Sequence, residues 1–425
     1  MRRPLFYGWV IVGTLFMVNF ATQATGGLNF GLFVLPMSAD LGISRSLIGW
    51  VQTARLLAGG LSGFLIGRLL DRFGPRFMIP VASLVTGACL VTLGAITHVW
   101  QFIALFAVIG AMGLSAPGGS LLTSVPVAKW FVRQRGRAMA LATIGLGIGP
   151  ITFLPVTQVL ITWLEWRGAW VVLAVISVSI TVPLALLFLR RQPEDLGLRP
   201  DGAPAPEVDR AASQPWQAEE PRWTAGEALR TSALWKLTGA FVLTGFALGA
   251  ASVHRIPYWV ERGFDPQIVS YSFSADAAGA TVMALLAGLL VERLPVRFIS
   301  AASFLGMALS VGLMLAGSNL FFLFGSTVIF GLSVGANMIV QTFVWADYYG
   351  RTFLGTIRGM VLPAFLVSAA IGAPVTGYIY DVGNSYVPAW WLLLAILLLA
   401  SLVMLTALPP RHPVGRPIMV RRTGG

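Results

Sequence analysis

Charge is scarce in this sequence. Only 11% of the 425 residues are Asp, Glu, Lys or Arg, whereas 56% are hydrophobic, and the mean hydropathy is +0.78. A soluble chain of this length needs far more charge to cover its surface. Apolar runs of about 20 residues, long enough to cross a bilayer, recur along nearly the whole chain. The sequence therefore predicts a helical membrane protein that crosses the lipid bilayer many times.

Residue types that carry chemistry are also scarce. Cys89 is the single cysteine, so an intramolecular disulfide is excluded, and the three histidines have no metal-ligand spacing. No GxxxxGK[ST] motif supports intrinsic ATP hydrolysis, and no nucleophile–base pair supports an enzyme. We therefore expect a protein without catalytic activity, metal or cofactor.

Apolar runs between charged or turn-rich breaks predict twelve transmembrane helices. The first six are Tyr7–Pro36, Ser46–Leu70, Phe77–Thr97, Trp100–Val127, Ala138–Trp163 and Trp170–Leu189. The second six are Ala233–Tyr258, Pro266–Val291, Phe298–Gly317, Leu320–Ala346, Leu354–Tyr380 and Val387–Leu408. The predicted organisation is a six-helix bundle over 1–189, a central loop over 190–232, a second bundle over 233–408 and a tail over 409–425. The first 25 residues also resemble a signal peptide, but cleavage near Ala24 would leave an odd number of helices.

Basic residues are distributed unevenly between the two sides of this map. One side carries both termini, the central loop and almost all arginines, whereas the other side carries only Arg45, Arg167 and Arg262. The positive-inside rule then places both termini in the cytoplasm, with the bacterial inner membrane as the expected location. The net charge of +12 reflects this topology, and no nucleic-acid partner is needed to explain it.

The two halves of the chain resemble each other. The segment "GRLLDRFGPR" at 67–76 is echoed by "GLLVERLPVR" at 288–297, an offset of 221 residues. A second echo, "GLS" at 113–115 and 331–333, has an offset of 218 and carries Arg133 onto Arg351. Such internal repeats are typical of secondary transporters.

The loop motif "GxxxDRxGxR" after the second helix resembles the signature of the major facilitator superfamily. "WFVRQRGRAMALATIG" at 130–145, "FYGW" at 6–9 and "RRQPEDLGLRPDG" at 190–202 are similar to segments of bacterial monocarboxylate and oxalate–formate porters. The resemblance covers the whole chain and implies an all-α fold of two pseudo-symmetric six-helix bundles. The acidic residue expected before the first Gly-Trp is missing, and Ala280 and Ala284 stand where such porters carry charges on the eighth helix.

The resemblance also implies a gate on the cytoplasmic side. A carboxylate at Asp71 can pair with the basic loop Lys129–Arg137 or lie at a helix N-terminus. Termination of helices and topology would also explain these charges. The expected gating residues are Gly67, Asp71, Arg72, Arg76, Arg133, Arg137, Glu292, Arg293, Arg297 and Arg351.

Arg55 and Asp276 are charges inside predicted transmembrane helices. Helical periodicity places each of them on a side with Gly, Ala and Ser, opposite a side of large apolar residues, so both point into protein. The offset of 221 also maps Arg55 onto Asp276. Asp276 is the best candidate for a proton carrier. Arg55 has two possible roles, direct contact with the substrate or a structural ion pair, and its position on a second helix favours the ion pair.

Other polar residues are candidates for substrate contact. His254 and Arg255 lie near the outer end of the seventh helix, where an interfacial role is also possible. The remaining candidates are neutral hydrogen-bonding residues that could equally join helices: Gln23, Asn29, Asn337 and Gln341.

The excess of embedded basic residues favours an anionic substrate, because a planar carboxylate fits a guanidinium group. We predict a monomeric secondary transporter for a small organic anion, such as a monocarboxylate, with proton symport left open. The alternative is proton-coupled efflux of amphipathic drugs. It is suggested by Gly136, Gly145, Gly149 and Pro150, whose spacing is similar to the fifth-helix motif of drug antiporters, although close helix packing alone explains these residues.

Overall fold

The computed structural model describes residues 6–96, 98–114, 121–202, 223–291, 293–350 and 354–410. Within these ranges every regular element is a helix. In the first half these are α1 (Tyr7–Thr22), α2 (Gly27–Leu41), α3 (Arg45–Phe73), α4 (Pro75–Thr92), α5 (Val99–Ala111), α6 (Leu121–Trp130) and α7 (Arg135–Phe188). They are followed by α8 (Ala225–Leu229), α9 (Ser232–Glu261), α10 (Pro266–Leu290), α11 (Val296–Ala316), α12 (Leu320–Tyr349), α13 (Leu354–Gly383) and α14 (Val387–Thr406).

These helices form twelve membrane spans. The first span is α1 and α2, which are joined by a 3₁₀ turn at Gln23–Thr25 and an extended Gly26. The fourth span contains α5 and α6 on either side of 115–120. The fifth and sixth spans are the two parts of α7, which is interrupted at Glu165 (φ 57°, ψ 175°). The first span extends five residues beyond its predicted end at Pro36 and terminates at Gly42 (φ 60°), where glycine adopts the left-handed conformation without steric cost.

The spans form two six-helix bundles with the same internal packing. In the first bundle α1 packs on the first part of α7, α3 on α5, and α4 on the second part of α7. In the second bundle the equivalent pairs are α9 with α13, α10 with α12, and α11 with α14. The expected pseudo-symmetric fold is therefore confirmed.

The repeat is also visible in individual contacts. The backbone of Arg55 touches Gly110, and the backbone of Asp276 touches Gly331. Asp276 follows Arg55 by 221 residues, and Gly331 follows Gly110 by the same number. Gly331 is therefore equivalent to Gly110. The "GLS" echo, which matched Gly331 with Gly113, was wrong by one helical turn because it relied on a match of only three residues.

The two ends of the molecule differ in how the bundles meet. We call the end with Tyr7 and Thr406 the terminal end, and the end with Leu41 and Gly383 the distal end. Toward the distal end one apolar core contains residues of both bundles, including Phe33 and Trp259. Toward the terminal end each bundle has its own core. The bundles are thus joined at the distal end and separate at the terminal end.

Glycines along α3 show how this separation develops. A Cβ atom built at Gly49, near the distal end, would lie 2.5 Å from the backbone nitrogen of Pro374 on α13. A Cβ atom at Gly60 would lie 3.4 Å from the side chain of Leu366. Built at Gly63 or Gly67, it would meet no described residue within 4 Å. The α3–α13 interface therefore opens progressively toward the terminal end.

Candidate functional site

A buried ion pair lies in the second bundle. Both terminal nitrogens of Arg255, on α9, donate to Oδ1 of Asp276, on α10, at 3.1 Å. The Arg255 side chain is 2% exposed and the Asp276 side chain 9%. A charge in this environment persists only if it is paired and hydrogen-bonded. Arg255 and Asp276 are both neighbours in space and members of the predicted site.

Aromatic rings complete the surroundings of Arg255. Its guanidinium carbon lies 3.8 Å from the ring centroid of Phe330 and 4.8 Å from that of Phe273. Rings at these distances attract a cation through their quadrupole. Within the described part of the chain the Nε atom of Arg255 has no hydrogen-bond partner, which leaves the guanidinium one unused donor there.

Arg55 occupies the equivalent level of the first bundle without a carboxylate. Its Nη2 donates to the backbone oxygen of Thr25 at 2.9 Å, at the break between α1 and α2, and its Nη1 has no partner among the residues that the structure describes. The residue is 8% exposed. Among the described residues no carboxylate lies within ion-pair distance of it.

The ion pair expected for Arg55 was therefore wrong for the part of the chain that the structure describes. Sequence symmetry matched Arg55 with Asp276, but symmetry relates equivalent positions and does not bring them into contact. Asp276 instead pairs with Arg255, which lies 21 residues earlier on the preceding helix of the same bundle.

His254 already uses both ring nitrogens inside the protein. Nε2 lies 2.8 Å from the backbone oxygen of Ala373, and Nδ1 lies 3.2 Å from the hydroxyl of Tyr386. Because a carbonyl oxygen can only accept, Nε2 carries a hydrogen. Ala373 lies where α13 meets Gly49 of the other bundle. His254 is thus placed to hold α13 at the contact between the bundles, rather than at the surface of the membrane.

The neutral candidates lie on helices of both bundles. Asn29 donates to the backbone oxygen of Ala24 and to Thr157 Oγ1, both at 2.7 Å, and so joins α2 to α7. Gln23 packs against Gly149 of α7. Asn337 is buried, and no described residue donates to its side-chain oxygen; Gln341 follows one turn later on α12 and is half-buried. The amide nitrogen of Asn29 therefore has a structural role, whereas its Oδ1, like that of Asn337, has no hydrogen-bond partner among the described residues.

The predicted gating residues that the structure describes lie at the terminal end. Asp71 accepts from Lys129 at 3.1 Å, but both residues belong to the first bundle and Asp71 is 70% exposed. Arg76 donates to the backbone oxygen of Leu186. Arg72, Arg137 and Arg293 are exposed, Gly67 and Arg297 are half-buried, and Glu292 and Arg351 lie outside the described residues.

Arg133 contacts the start of the central loop through its backbone nitrogen. The carboxylate of Asp201, in the loop after the sixth span, accepts from the backbone nitrogens of Val132, Arg133 and Gln134 at 2.9, 2.7 and 3.2 Å. Burial alone would raise the pKa of Asp201, but these amide donors together hold it below its usual value. The start of the central loop is thereby fixed to the first bundle.

Contacts across the distal end were not predicted from the sequence. Thr53 of α3 donates to the backbone oxygen of Ala370 on α13, and Gln267 of α10 donates to the backbone oxygen of Pro155 on α7. The available signal was a stripe of small residues at helical spacing on α13, including Ala370 and Gly377.

Two helical bundles that part at one end, with charges buried inside each, define the class of secondary transporters that alternate access between two sides of a membrane. The chain belongs to the Major Facilitator Superfamily, whose family model matches residues 15–264 and 256–422. It is therefore a membrane transporter and not an enzyme.

Individual relatives are distant but span nearly the whole chain. The chain is 24% identical to monocarboxylate transporter 13 of Bos taurus, over 94% of this chain and 89% of the relative. It is also 24% identical to the probable sulfoacetate transporter SauU of Cupriavidus necator, over 91% and 90%.

Solved structures share the fold. The nucleoside transporter NupG has a TM-score of 0.72 at 14% identity, covering 93% of this chain and 98% of that chain. A bacterial homolog of the human lysosomal transporter Spinster, in an inward-facing and unoccupied conformation, has a TM-score of 0.67 at 15% identity and covers 95% of each chain.

Proposed function

We propose that the protein transports a small organic anion, such as a monocarboxylate, by alternating access. The observation that carries this proposal is the uncompensated charge of Arg55. A buried cation with an unused donor is costly unless an anion accompanies it. A transported carboxylate, or a similar planar anionic group, supplies that missing partner with geometry that suits a guanidinium.

The charge balance of the two centres supports a monoanion. Arg255 is neutralised by Asp276, whereas Arg55 has no carboxylate among the described residues. The three groups together carry one net positive charge, which one carboxylate would cancel. Relatives named for monocarboxylate and sulfoacetate transport support the same class of substrate.

Access to Arg55 requires movement in this proposal. Thr25, which accepts from Arg55, also lines a cavity of about 10 Å³ together with Thr22, Ser83 and Thr86. A space of this size holds one water molecule and is too small for an organic anion. We infer that the site opens when the break between α1 and α2 shifts, with Gly26 providing backbone freedom there.

Orientation follows from the charges at the two ends. The distal-end arginines are few, and each is held by the protein: Arg45 by Glu261, Arg167 by Asp40, and Arg262 by the backbone oxygens of Met314 and Gly317. The remaining loop arginines that the structure describes lie at the terminal end. The positive-inside rule supports a cytoplasmic terminal end, so this conformation is open to the cytoplasm. We place the protein, as a monomer, in a bacterial inner membrane.

Proton coupling would act through Asp276. Protonation of this carboxylate would weaken its bond to Arg255 and free that guanidinium for the substrate. The Asp276 carboxylate and the substrate anion thus compete for Arg255 in this proposal, so that binding of a proton to Asp276 favours binding of the anion, which is the requirement for symport.

The test is uptake into proteoliposomes from a panel of labelled carboxylates, with and without an imposed pH gradient. Arg55→Gln should abolish anion uptake, and Arg55→Lys should retain part of it because lysine keeps the charge but loses the planar fork. Asn29→Ala is the control for damage to the same bundle. Carboxylate uptake that persists in Arg55→Gln would refute the proposed site, and resistance to amphipathic drugs in that variant would favour efflux.

A further inference from the structure

A carboxylate of the second bundle caps a helix of the first bundle at the distal end. Asp381, near the end of α13, accepts from the backbone nitrogen of Arg45 through Oδ1 at 2.9 Å and from that of Ser46 through Oδ2 at 3.0 Å. These nitrogens belong to the first turn of α3, where no intrahelical acceptor exists. The positive end of the α3 dipole adds to this attraction.

The side chain of Arg45 makes a second link between the bundles. Its Nη2 donates to Oε1 of Glu261, at the end of α9, at 2.9 Å, and the hydroxyl of Tyr380 donates to the same oxygen at 3.0 Å. Arg45 is 11% exposed and Glu261 28%, so both are partly shielded from solvent. We call Asp381, Glu261, Tyr380, Arg45 and Ser46 the distal latch.

The latch depends on close approach of the two backbones. A Cβ atom built at Gly377, one turn before Asp381, would lie 2.5 Å from both the carbonyl carbon of Arg45 and the backbone nitrogen of Ser46. Any larger residue would push α13 away from the first turn of α3. Glycine is therefore required at this position for the carboxylate to reach both amide groups.

The distal latch differs from the other ion pairs that the structure describes. Asp71 with Lys129, and Asp40 with Arg167, each join residues of the first bundle, and Arg255 with Asp276 joins residues of the second. Movement of one bundle against the other leaves these three pairs intact. Among the four described pairs, only Arg45–Glu261 must break when the distal end opens.

We propose that the distal latch holds the distal end closed, and that Asp381 is its principal residue. The carboxylate ties the two bundles together in this conformation and releases the first turn of α3 when the transporter opens on the distal side. This role is independent of what the protein carries, so it stands or falls separately from the proposed substrate.

The test measures distances between the bundles by spin labelling and pulsed electron paramagnetic resonance, with Cys89 first replaced by Ala. One pair of labels, at Trp163→Cys and Val382→Cys, reports on the distal end, where both positions are exposed. A second pair, at Phe73→Cys and Leu294→Cys, reports on the terminal end.

Asp381→Asn should move the distal pair to longer distances and the terminal pair to shorter ones. Loss of two charge-assisted hydrogen bonds should raise the ratio of distal-open to distal-closed molecules about tenfold or more. Asp40→Asn is the matched control, because it removes a carboxylate at the same end that pairs only within the first bundle. Distances in Asp381→Asn that equal those of the parent would overturn the proposal.

A steric variant keeps the proposal testable if Asp381→Asn fails to fold. Gly377→Ala should open the distal end without removing any charge, whereas Gly383→Ala, whose Cβ would meet nothing within 4 Å, should not. Unchanged distal distances in Gly377→Ala would show that the latch does not need this close approach, and the proposal would fail.

Discussion

The buried pair of Arg255 and Asp276 makes a quantitative prediction. Asp276→Asn removes the carboxylate that pairs with the Arg255 guanidinium, which lies against the rings of Phe273 and Phe330. The Arg255 side chain is 2% exposed, so water cannot take over the lost interaction. Breaking one side of a buried pair typically costs about 3–5 kcal/mol of unfolding free energy. We expect a loss of this size in Asp276→Asn.

The double variant Arg255→Met/Asp276→Asn should behave differently. It removes the uncompensated cation as well as the carboxylate and leaves only a neutral amide buried. Because an unpaired amide costs less than an unpaired charge, the double variant should recover much of the lost unfolding free energy. Unfolding free energies should therefore be measured for the parent, both single variants and the double variant, in one detergent. The recovered double variant should still fail to accumulate substrate under a pH gradient.

Two results would refute this reasoning. If Asp276→Asn unfolds like the parent, the pair is not buried and intact in the folded protein. If the two single effects simply add in the double variant, the residues are not coupled, because coupled neighbours deviate from additivity by roughly 0.5–3 kcal/mol.

Three further predictions concern other parts of the chain. Arg55→Met should leave the unfolding free energy unchanged or raise it by about 1–3 kcal/mol, because it removes an uncompensated buried charge. Binding of labelled carboxylates should be lost in the same variant. A destabilised variant would instead indicate that Arg55 forms a structural pair. Gly110→Ala should lower the unfolding free energy in detergent by about 1–3 kcal/mol, because the new Cβ meets the backbone of Arg55. Gly94→Ala, whose new Cβ would meet no described residue within 4 Å, should lower it much less. Equal effects of the two variants would contradict this packing. Asp201→Asn should accelerate hydrogen exchange at the amides of Val132, Arg133 and Gln134. Asparagine tolerates the positive φ of 58°, but it lacks the charge and one of the two oxygens that accept from these amides. Because the pKa of Asp201 is lowered on folding, the ionised side chain contributes to stability above the usual pKa of 3.8, and this contribution is lost as the pH falls through the lowered pKa. The exchange rates of the parent should therefore approach those of the variant only in that acidic range.

The sequence predicted the helices well because length, hydropathy and charge asymmetry are properties of each segment. It also predicted that Arg55 and Asp276 point into protein, because that follows from the phase of a single helix. The partner of Asp276 was not predictable in the same way. Which residue meets it depends on the rotation and height of the neighbouring helix α9, which no local pattern records.

The distal latch was not predicted, because it too depends on contacts between helices. Asp381 and Glu261 stand at helix ends, where a charge is usually explained by solvent and topology. Their role depends on the approach of two helices from different halves of the chain, at residues separated by more than 200 positions. Only the small-residue spacing on α13 gave a hint, and it does not identify the facing helix.

The widening gap beside α3 implies a second interface that this conformation does not form. Gly63 and Gly67 continue the face of α3 that carries Gly49 and Gly60, at intervals of three and four residues. On α13, a Cβ atom built at Gly355 or Gly359 would also meet no described residue within 4 Å. Small residues on both walls of an open gap allow helices to approach closely once they tilt. The helices α3 and α13 thus carry surfaces that can pack together at both ends. A rocking motion of the bundles near Gly60 would open the α3–α13 interface at the distal end and close one at the terminal end.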